Sequence, residues 1–379
     1  MNYSRPEIVS GQMFNKIGSP SLQIELPRVI AIVTCFNYAR YVGQALDSVA
    51  SQTYKNFDCV VVDDGSTDDS SAVIERWIED RKDPRFRLIR NTLNCGQTAS
   101  FAIGLAATSG EFVAFLDADD LWFPEFLQRH VEAHLNRSFP VSISCSDMIQ
   151  IDDERRALCG TWVGTKFEEV HSQLFPTIDA EHSVHIDPGS SGLKFFENPE
   201  VKYIKPSYLE HPWTATSGMM FRRSALDLVM PKKPNDLRIC TDGYVFLMCH
   251  YFTGSLVIGS ALSAYRRHGN NSYSTNPVVG HPLPGALTTI VRHQEIIVRA
   301  MLDHLLGHYD HFAAVFSDAS VRGLVRALFR KTLQYNVAIQ DSRLRGVIGR
   351  RRMLEDKMRA KISFLSQLVP WRALMRADR

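Results

Sequence analysis

The chain has 379 residues, 45% apolar and 22% charged, with a formal net charge of +2. This is the composition of a folded globular protein with a sizeable core, and the near-neutral total gives no electrostatic reason to expect a nucleic-acid partner. No apolar stretch reaches the ~18 residues of a membrane span, the opening MNYSRPEIVSGQMFNKIG lacks an apolar signal core, and seven scattered cysteines form no Cys-x-x-Cys pair, so a cytoplasmic setting with reduced thiols is expected.

Residues 1–26 show no periodicity and read as an N-terminal extension. Arg28–Val33 is a β-branched run that predicts a buried first strand, and Ala39–Ser51 sets Leu46, Val49 and Ala50 on one helical face. Phe57–Val62 predicts a second strand, ending in Asp63-Asp64-Gly65-Ser66-Thr67-Asp68. Ser66 and Asp69 form an N-cap signal for a following helix with Ile74, Trp77 and Ile78 on its apolar face. Phe86–Ile89 predicts a third strand, Gln97–Thr108 a third helix and Phe112–Leu116 a fourth strand. Strands alternating with helices of this length predict βαβ units, hence an α/β fold with a mostly parallel Rossmann-type sheet. The pattern blurs after 140. Val141–Ser146, Ala215–Arg222 and Leu256–Tyr265 read as strands, Tyr244–Thr253 as a helix, and 285–340 and 342–369 as helical.

The last helical stretch belongs to a basic tail. Residues 341–379 hold eleven Lys/Arg against four Asp/Glu, and Leu354, Met358, Ile362, Leu365 and Val369 recur at helical spacing. A solvated face is one expectation; peripheral contact with anionic lipid at the inner face of a membrane is the other.

Chemistry concentrates at strand ends. Phe112-Val-Ala-Phe-Leu116 empties into Asp117-Ala118-Asp119-Asp120, three carboxylates within four positions. They repel one another unless a cation or hydrogen-bond donors compensate, and hard oxygen ligands favour Mg²⁺ or Mn²⁺ shared with substrate phosphates. Asp63 and Asp64 close the second strand; Thr34, Phe36 and Asn37 close the first. In a parallel sheet these ends lie along one edge, where such sheets bind ligands. Turn formation and helix capping compete as explanations for any single Asp, less easily for two acidic clusters on one edge. There is neither a Gly-x-Gly-x-x-Gly fingerprint nor a Gly-Lys-Ser/Thr loop, so phosphate charge would be met by metal and side chains.

Val29-Ile-Ala-Ile-Val-Thr-Cys-Phe-Asn37, Asp47-Ser-Val-Ala-Ser-Gln-Thr-Tyr54, Val61-Val-Asp-Asp-Gly-Ser-Thr-Asp68 and Gly110-Glu-Phe-Val-Ala-Phe-Leu-Asp-Ala-Asp-Asp120 together resemble the successive signatures of family 2 glycosyltransferases. Weaker continuations are Thr216-Ser-Gly-Met-Met-Phe-Arg-Arg223, Thr241-Asp-Gly-Tyr244 and Tyr265-Arg-Arg-His-Gly-Asn-Asn-Ser272. The resemblance implies a GT-A-like domain over 27–284, with a nucleotide-sugar half (27–136) and an acceptor half (137–284), followed by a helical region over 285–379. It also implies an inverting, metal-dependent transfer from a nucleotide sugar, with UDP as the first expectation, to a saccharide, lipid-linked or polymer acceptor, as in polysaccharide and cell-envelope synthesis. Thr34, Phe36 and Asp64 would hold base and ribose, with Asn37 and Asp63 beside them in the substrate-binding set. Asp117 would lie near ribose or diphosphate, Asp119 would ligate Mn²⁺ or Mg²⁺, and His268 would approach the diphosphate or its metal. Asp242 would be the general base, and Trp213 could stack on an acceptor sugar.

Two departures stand out. The family's frequent Ala-Arg-Asn-x-Gly in the third helix is Ser100-Phe-Ala-Ile-Gly104 here, and its Glu-Asp pair is Thr241-Asp242. A sugar nucleotidyltransferase would carry a Gly-rich basic loop after the first strand, which Thr34-Cys-Phe-Asn-Tyr-Ala39 is not. A non-catalytic binding module on the same fold is the other alternative.

Overall fold

A computed structural model of the protein describes residues 25–159, 201–206, 214–231, 237–238, 241–269, 271, 286–331 and 338–358. The first half alternates as its hydrophobic pattern requires: β1 (Val29–Cys35), α1 (Val42–Ala50), β2 (Phe57–Asp63), α2 (Ser70–Arg81), β3 (Phe86–Arg90), α3 (Gln97–Ala106) and β4 (Phe112–Asp117). β1 pairs in parallel with β2 and β4, and β2 with β3. Every residue of β1 is buried because helices cover both faces of the sheet.

Alternate residues serve different layers. Ile30, Ile32, Val60, Val62, Val113 and Phe115 face a core that includes Phe101 and Leu105 of α3. Val29, Ala31, Val33, Cys59, Val61 and Ala114 face the opposite core, with Val42, Ala45, Leu46 and Val49 of α1. The i, i+3, i+4, i+7 spacing of those α1 residues is why the segment is a helix. α3 approaches the sheet closely at Gly104, where a Cβ would stand 2.7 Å from Ile32 Cγ2. A larger residue there would push the helix off β1.

The sheet continues past β4 with mixed direction: β5 (Leu121–Trp122), β6 (Ile143–Ile151), β7 (Ala157–Cys159), β8 (Val201–Ile204), β9 (Met219–Arg222) and β10 (Ser255–Arg266). The strand order is β3-β2-β1-β4-β9-β6-β10-β5, with β7 on β6 and β8 on β10. β9 runs antiparallel to β4 and β6, while β10 is parallel to β6. α4 (Phe126–Leu135) packs on the β6 and β10 side.

Beyond Ala286 the described residues of the expected helical stretch include the helices Ala286–Gly307, Tyr309–Phe316, Asp318–Lys331 and Ser342–Ile348, and helical residues 350–358. Their apolar residues, among them Met301, Leu305, Val325, Phe329 and Met353, belong to the same core as Tyr244 and Phe246 of the helix Thr241–Thr253. The strand expected over 141–146 runs instead from Ile143 to Ile151, and Leu121–Trp122, for which the sequence carries no strand signal, is a short strand on β10. Ser66 is not the cap of α2: its hydroxyl accepts the Asn37 N–H, and the helix begins at Ser70. No helix among the described residues is long and apolar enough to cross a membrane.

Candidate active site

The carboxyl ends of β1, β2 and β4 converge as a parallel sheet dictates, and the loops leaving them are tied together by side chains. Asn37 adopts φ 60, and its Oδ1 accepts from the Thr67 N–H at 2.8 Å. Asp63 accepts from the Ser66 N–H at 3.0 Å and from the Ser71 hydroxyl. These two residues spend their polar atoms on the loop between β2 and α2, the turn chemistry in which short Asx side chains excel. Phe36, which precedes Asn37 in the loop after β1, is 40% exposed.

Asp64 is buried, and both of its oxygens are engaged by the loop after β3. Oδ1 accepts from Asn91 Nδ2 at 2.7 Å and the Cys95 N–H at 2.9 Å; Oδ2 accepts from the Gly96 N–H at 2.8 Å. Gly65 permits this closure: its φ is +71, and a Cβ would meet the Leu93 main chain at 2.8 Å. Asp64 therefore fixes the start of α3 against the edge.

Asp117 lies at the centre. Its Oδ1 accepts from Thr34 Oγ1 at 3.3 Å and Gln97 Nε2 at 2.9 Å, while its N–H donates to Ser217 Oγ at 3.1 Å. Gln97 opens α3 and supplies an amide to the cleft. Phe101, in the place of the family's frequent arginine, is 1% exposed and stacked on Phe115 at 4.0 Å, so that position belongs to the core. Neither Gln97 nor Ser217 was singled out from sequence. The signal lay in a polar residue opening a helix beside the edge, and in the small-residue turn Thr216-Ser-Gly218.

Asp119 and His268 meet across 149 residues of chain, with His268 Nε2 2.9 Å from Asp119 Oδ2 and both side chains buried. Tyr38 also hydrogen-bonds Asp119. Burial, then the charges of Asp119, Asp117 and Asp120, pushes the Tyr38 hydroxyl far above its ordinary value, so it is a permanent donor. Burial likewise drives the Asp120 carboxyl well above the usual carboxylate range, with Asp119 and Asp117 adding repulsion. The edge is short of positive charge.

A divalent cation fits this donor set. Two atoms bound cis on an octahedral ion with bonds near 2.1 Å are ~3.0 Å apart, which the Asp119–His268 separation matches. Among the described residues no group of three or more His, Cys, Asp and Glu is placed to hold a metal, so ligands from a bound phosphate would be needed to complete the shell.

Asp242 is the second residue of the helix Thr241–Thr253. That helix starts beside the edge: Thr98 of α3 hydrogen-bonds the Leu237 carbonyl and the Thr241 hydroxyl. Trp213 lies outside the described residues. His304, at helical spacing with His308 and His311, points Nε2 at the Leu228 carbonyl at 3.1 Å and packs near Tyr244, a helix-face contact.

The mixed sheet, the parallel nucleotide-side half and the carboxylates at its edge define a GT-A-like α/β architecture. The model of glycosyl transferase family 2 matches residues 30–227, and the chain belongs to that family. An uncharacterized glycosyltransferase of Nostoc sp. is 32% identical over 250 residues, covering 65% of this chain and 66% of its own. A putative glycosyltransferase of Bacillus subtilis, EpsH, is 34% identical over 249 residues, covering 65% of this chain and 62% of its own. The chain thus spans about two thirds of the length of these relatives. Among solved structures, Staphylococcus aureus TarS (residues 1–349, in complex with UDP) superposes with a TM-score of 0.45 at 14% identity, covering 90% of this chain and 92% of its own. The family assignment rests on the sequence match alone.

Proposed function

We propose that the protein is an inverting glycosyltransferase that moves a sugar from a nucleotide sugar, UDP-linked in the first instance, to a saccharide, lipid-linked or polymer acceptor, with Mn²⁺ or Mg²⁺. The observation that carries this is the convergence on one sheet edge of Asp117, held by Thr34 and Gln97, with the Asp119–His268 pair. Thr34, Phe36 and Asp64 form the base and ribose side, and Asp117 the ribose or diphosphate side. Asn37 and Asp63 enter through the loops they shape. Asp119 and His268 would hold the cation, which supplies charge neutralisation on the departing diphosphate.

The residues of the chain do the rest. Asp242, the second residue of its helix, takes the acceptor hydroxyl proton. As the acceptor oxygen bonds to the anomeric carbon, the bond from that carbon to the diphosphate oxygen breaks, so one displacement inverts the centre. The oxocarbenium character of that transition state is shared with glycoside hydrolysis.

Peripheral membrane contact has its own support. In helical residues 350–358, Met353 and Asp356 are buried while Leu354 and Met358 are 43% and 58% exposed beside Arg350, Arg351 and Arg352. The rest of the stripe, Ile362, Leu365 and Val369, lies outside the described residues.

A panel of nucleotide sugars assayed for nucleotide release and product, with Mn²⁺ and with EDTA, tests the proposal. Metal-dependent transfer to added acceptor is expected. With pyrophosphate added, formation of a nucleoside triphosphate and a sugar 1-phosphate would establish the nucleotidyltransferase alternative, and tight binding without turnover of any donor the binding-module alternative.

A further inference from the structure

The loop that carries His268 also carries a buried cation that the proposed chemistry leaves unused. Arg266, the last residue of β10, is 0% exposed. Its Nε donates to the Asp119 carbonyl at 2.7 Å, its Nη1 to the Asp153 carbonyl at 3.2 Å, and its Nη2 to Gln44 Oε1 at 2.9 Å. Its own N–H donates to Asp120 Oδ1 at 2.9 Å, and its carbonyl accepts from Asn271 Nδ2 at 2.9 Å. The guanidinium lies 5.0 Å from the centre of the Tyr41 ring, and that ring stacks on His268 at 5.0 Å. The Tyr41 hydroxyl donates to Asp153 Oδ1 at 2.8 Å.

Two features separate this arrangement from an ordinary buried ion pair. The guanidinium meets carbonyl and amide oxygens, so its charge offsets the repulsion among Asp117, Asp119 and Asp120 without consuming a carboxylate oxygen. Its donors also reach three separate segments: the turn after β4, the turn between β6 and β7, and α1. A rigid planar fork with five N–H groups can bridge three such segments; a lysine ammonium, a point charge on a flexible stem, cannot. Leaving such a cation buried and unsatisfied is costly, so the three segments and the side chain fix one another.

We infer that Arg266 is a positioning residue for the cation site, holding the Asp119 main chain and, through Tyr41 and Asn271, the His268 ring at the separation a divalent ion needs. The inference rests on the proposed role of Asp119 and His268. It predicts that changes at Arg266 act on the metal-dependent part of nucleotide binding and spare the rest, because Thr34 and Asp64 are anchored by other residues.

The test is calorimetric titration of UDP into the full chain, with Mn²⁺ and with EDTA, read as the ratio of the two affinities. In Arg266→Lys the ratio should fall roughly 10–100-fold, the usual effect of losing a group behind a metal ligand, with the EDTA affinity within about twofold of wild type. Should that variant fail to unfold cooperatively, Gln44→Met decides: it removes one acceptor from a partly exposed helix face and should lower the ratio about threefold, the effect of one net hydrogen bond. Asp119→Asn separates loss of the cation site from loss of its support. A wild-type ratio in Asp119→Asn, or a wild-type chain whose ratio is one, overturns the cation site itself and Arg266 with it. Loss in Asp119→Asn with an unchanged ratio in folded Arg266→Lys, or in Gln44→Met where it decides, overturns the Arg266 inference alone. Equal weakening with Mn²⁺ and EDTA in Arg266→Lys overturns it too, by making the residue a general support.

Discussion

The donor-side edge and the C-terminal helices share one folded body and treat their charges in opposite ways. In the helices the buried Asp356, 3% exposed, is matched locally: it takes Arg326 and Arg330 at 2.8 Å each. Arg343 pairs with Asp303 and Asp341. At the edge, Asp117, Asp119 and Asp120 crowd together and are met by hydroxyls, amides, one histidine and a guanidinium that binds carbonyls. A region built for stability settles its electrostatics within itself; a region left with crowded carboxylates at the end of parallel strands carries the signature of a binding site, and the proposed cation is what would relieve it. That contrast points to function more directly than any single residue.

The sharpest break between the two regions is chemical. Asp242→Asn keeps side-chain volume and removes basicity, so transfer should drop roughly 10²–10⁴-fold while donor affinity stays within a few fold. Single-turnover kinetics beside donor titration reads both, and wild-type transfer would move the base elsewhere. The mirror experiment is Asp356→Ala. It should cost roughly 2 kcal/mol of stability in urea unfolding, less than the 3–5 kcal/mol of a fully buried pair because Arg326 and Arg330 keep contact with water. UDP affinity should not change; if it does, the helices are coupled to the cleft.

Acid sharpens the comparison further, through α4. Burial pushes His134 down to about 3, with Arg222 adding to the effect, and burial with the His134 charge drives His130 well below its ordinary value. Both are neutral in the folded protein and protonate near pH 6.5 once unfolded. The unfolded state therefore binds more protons below that pH, and stability present above about pH 6.5 is lost as pH falls toward 3. Each histidine contributes up to ~1.4 kcal/mol per pH unit. Urea midpoints from pH 7.5 to 4.5 should fall, and His134→Gln should flatten the slope; an unchanged slope would mean the ring is solvated. The smallest effect concerns the tail. If the exposed Arg350–Arg352 and Leu354–Met358 face meets anionic lipid, each basic residue adds ~1 kcal/mol and binding weakens with salt. Co-sedimentation with anionic vesicles should then be lost in a chain ending at Gln340; equal sedimentation of both forms would leave that face merely solvated.

Legibility in the sequence followed the range of the interaction. The βαβ half could be read because its strands are buried on both faces and its helices repeat at 3.6 residues, both local signals. Thr34, Asp117 and Asp119 were legible as strand ends, since a parallel sheet fixes where such ends lie. Asn37 and Asp63 looked equivalent to Asp64 in sequence, yet Asn37 Oδ1 crosses to the loop between β2 and α2, Asp63 turns back on that same loop, and Asp64 reaches the loop after β3; which way each short side chain turns is decided over a few ångströms and leaves no pattern. Gln97, Ser217 and Arg266 act on partners 20, 100 and 147 residues away, which no window of sequence contains. β5 was missed for the same reason: two residues gain strand geometry only because β10 lies beside them.

The central claim is that a nucleotide sugar binds at the convergent edge and nowhere in the helices. Amide hydrogen exchange of the full chain, with and without UDP and Mn²⁺, tests it most directly. The account predicts slowed exchange at residues 34–37, 64–66, 95–98, 117–120 and 266–268, with residues 309–331 and 342–358 unchanged. Protection confined to those helices, with the edge unaffected at saturating nucleotide, would contradict it.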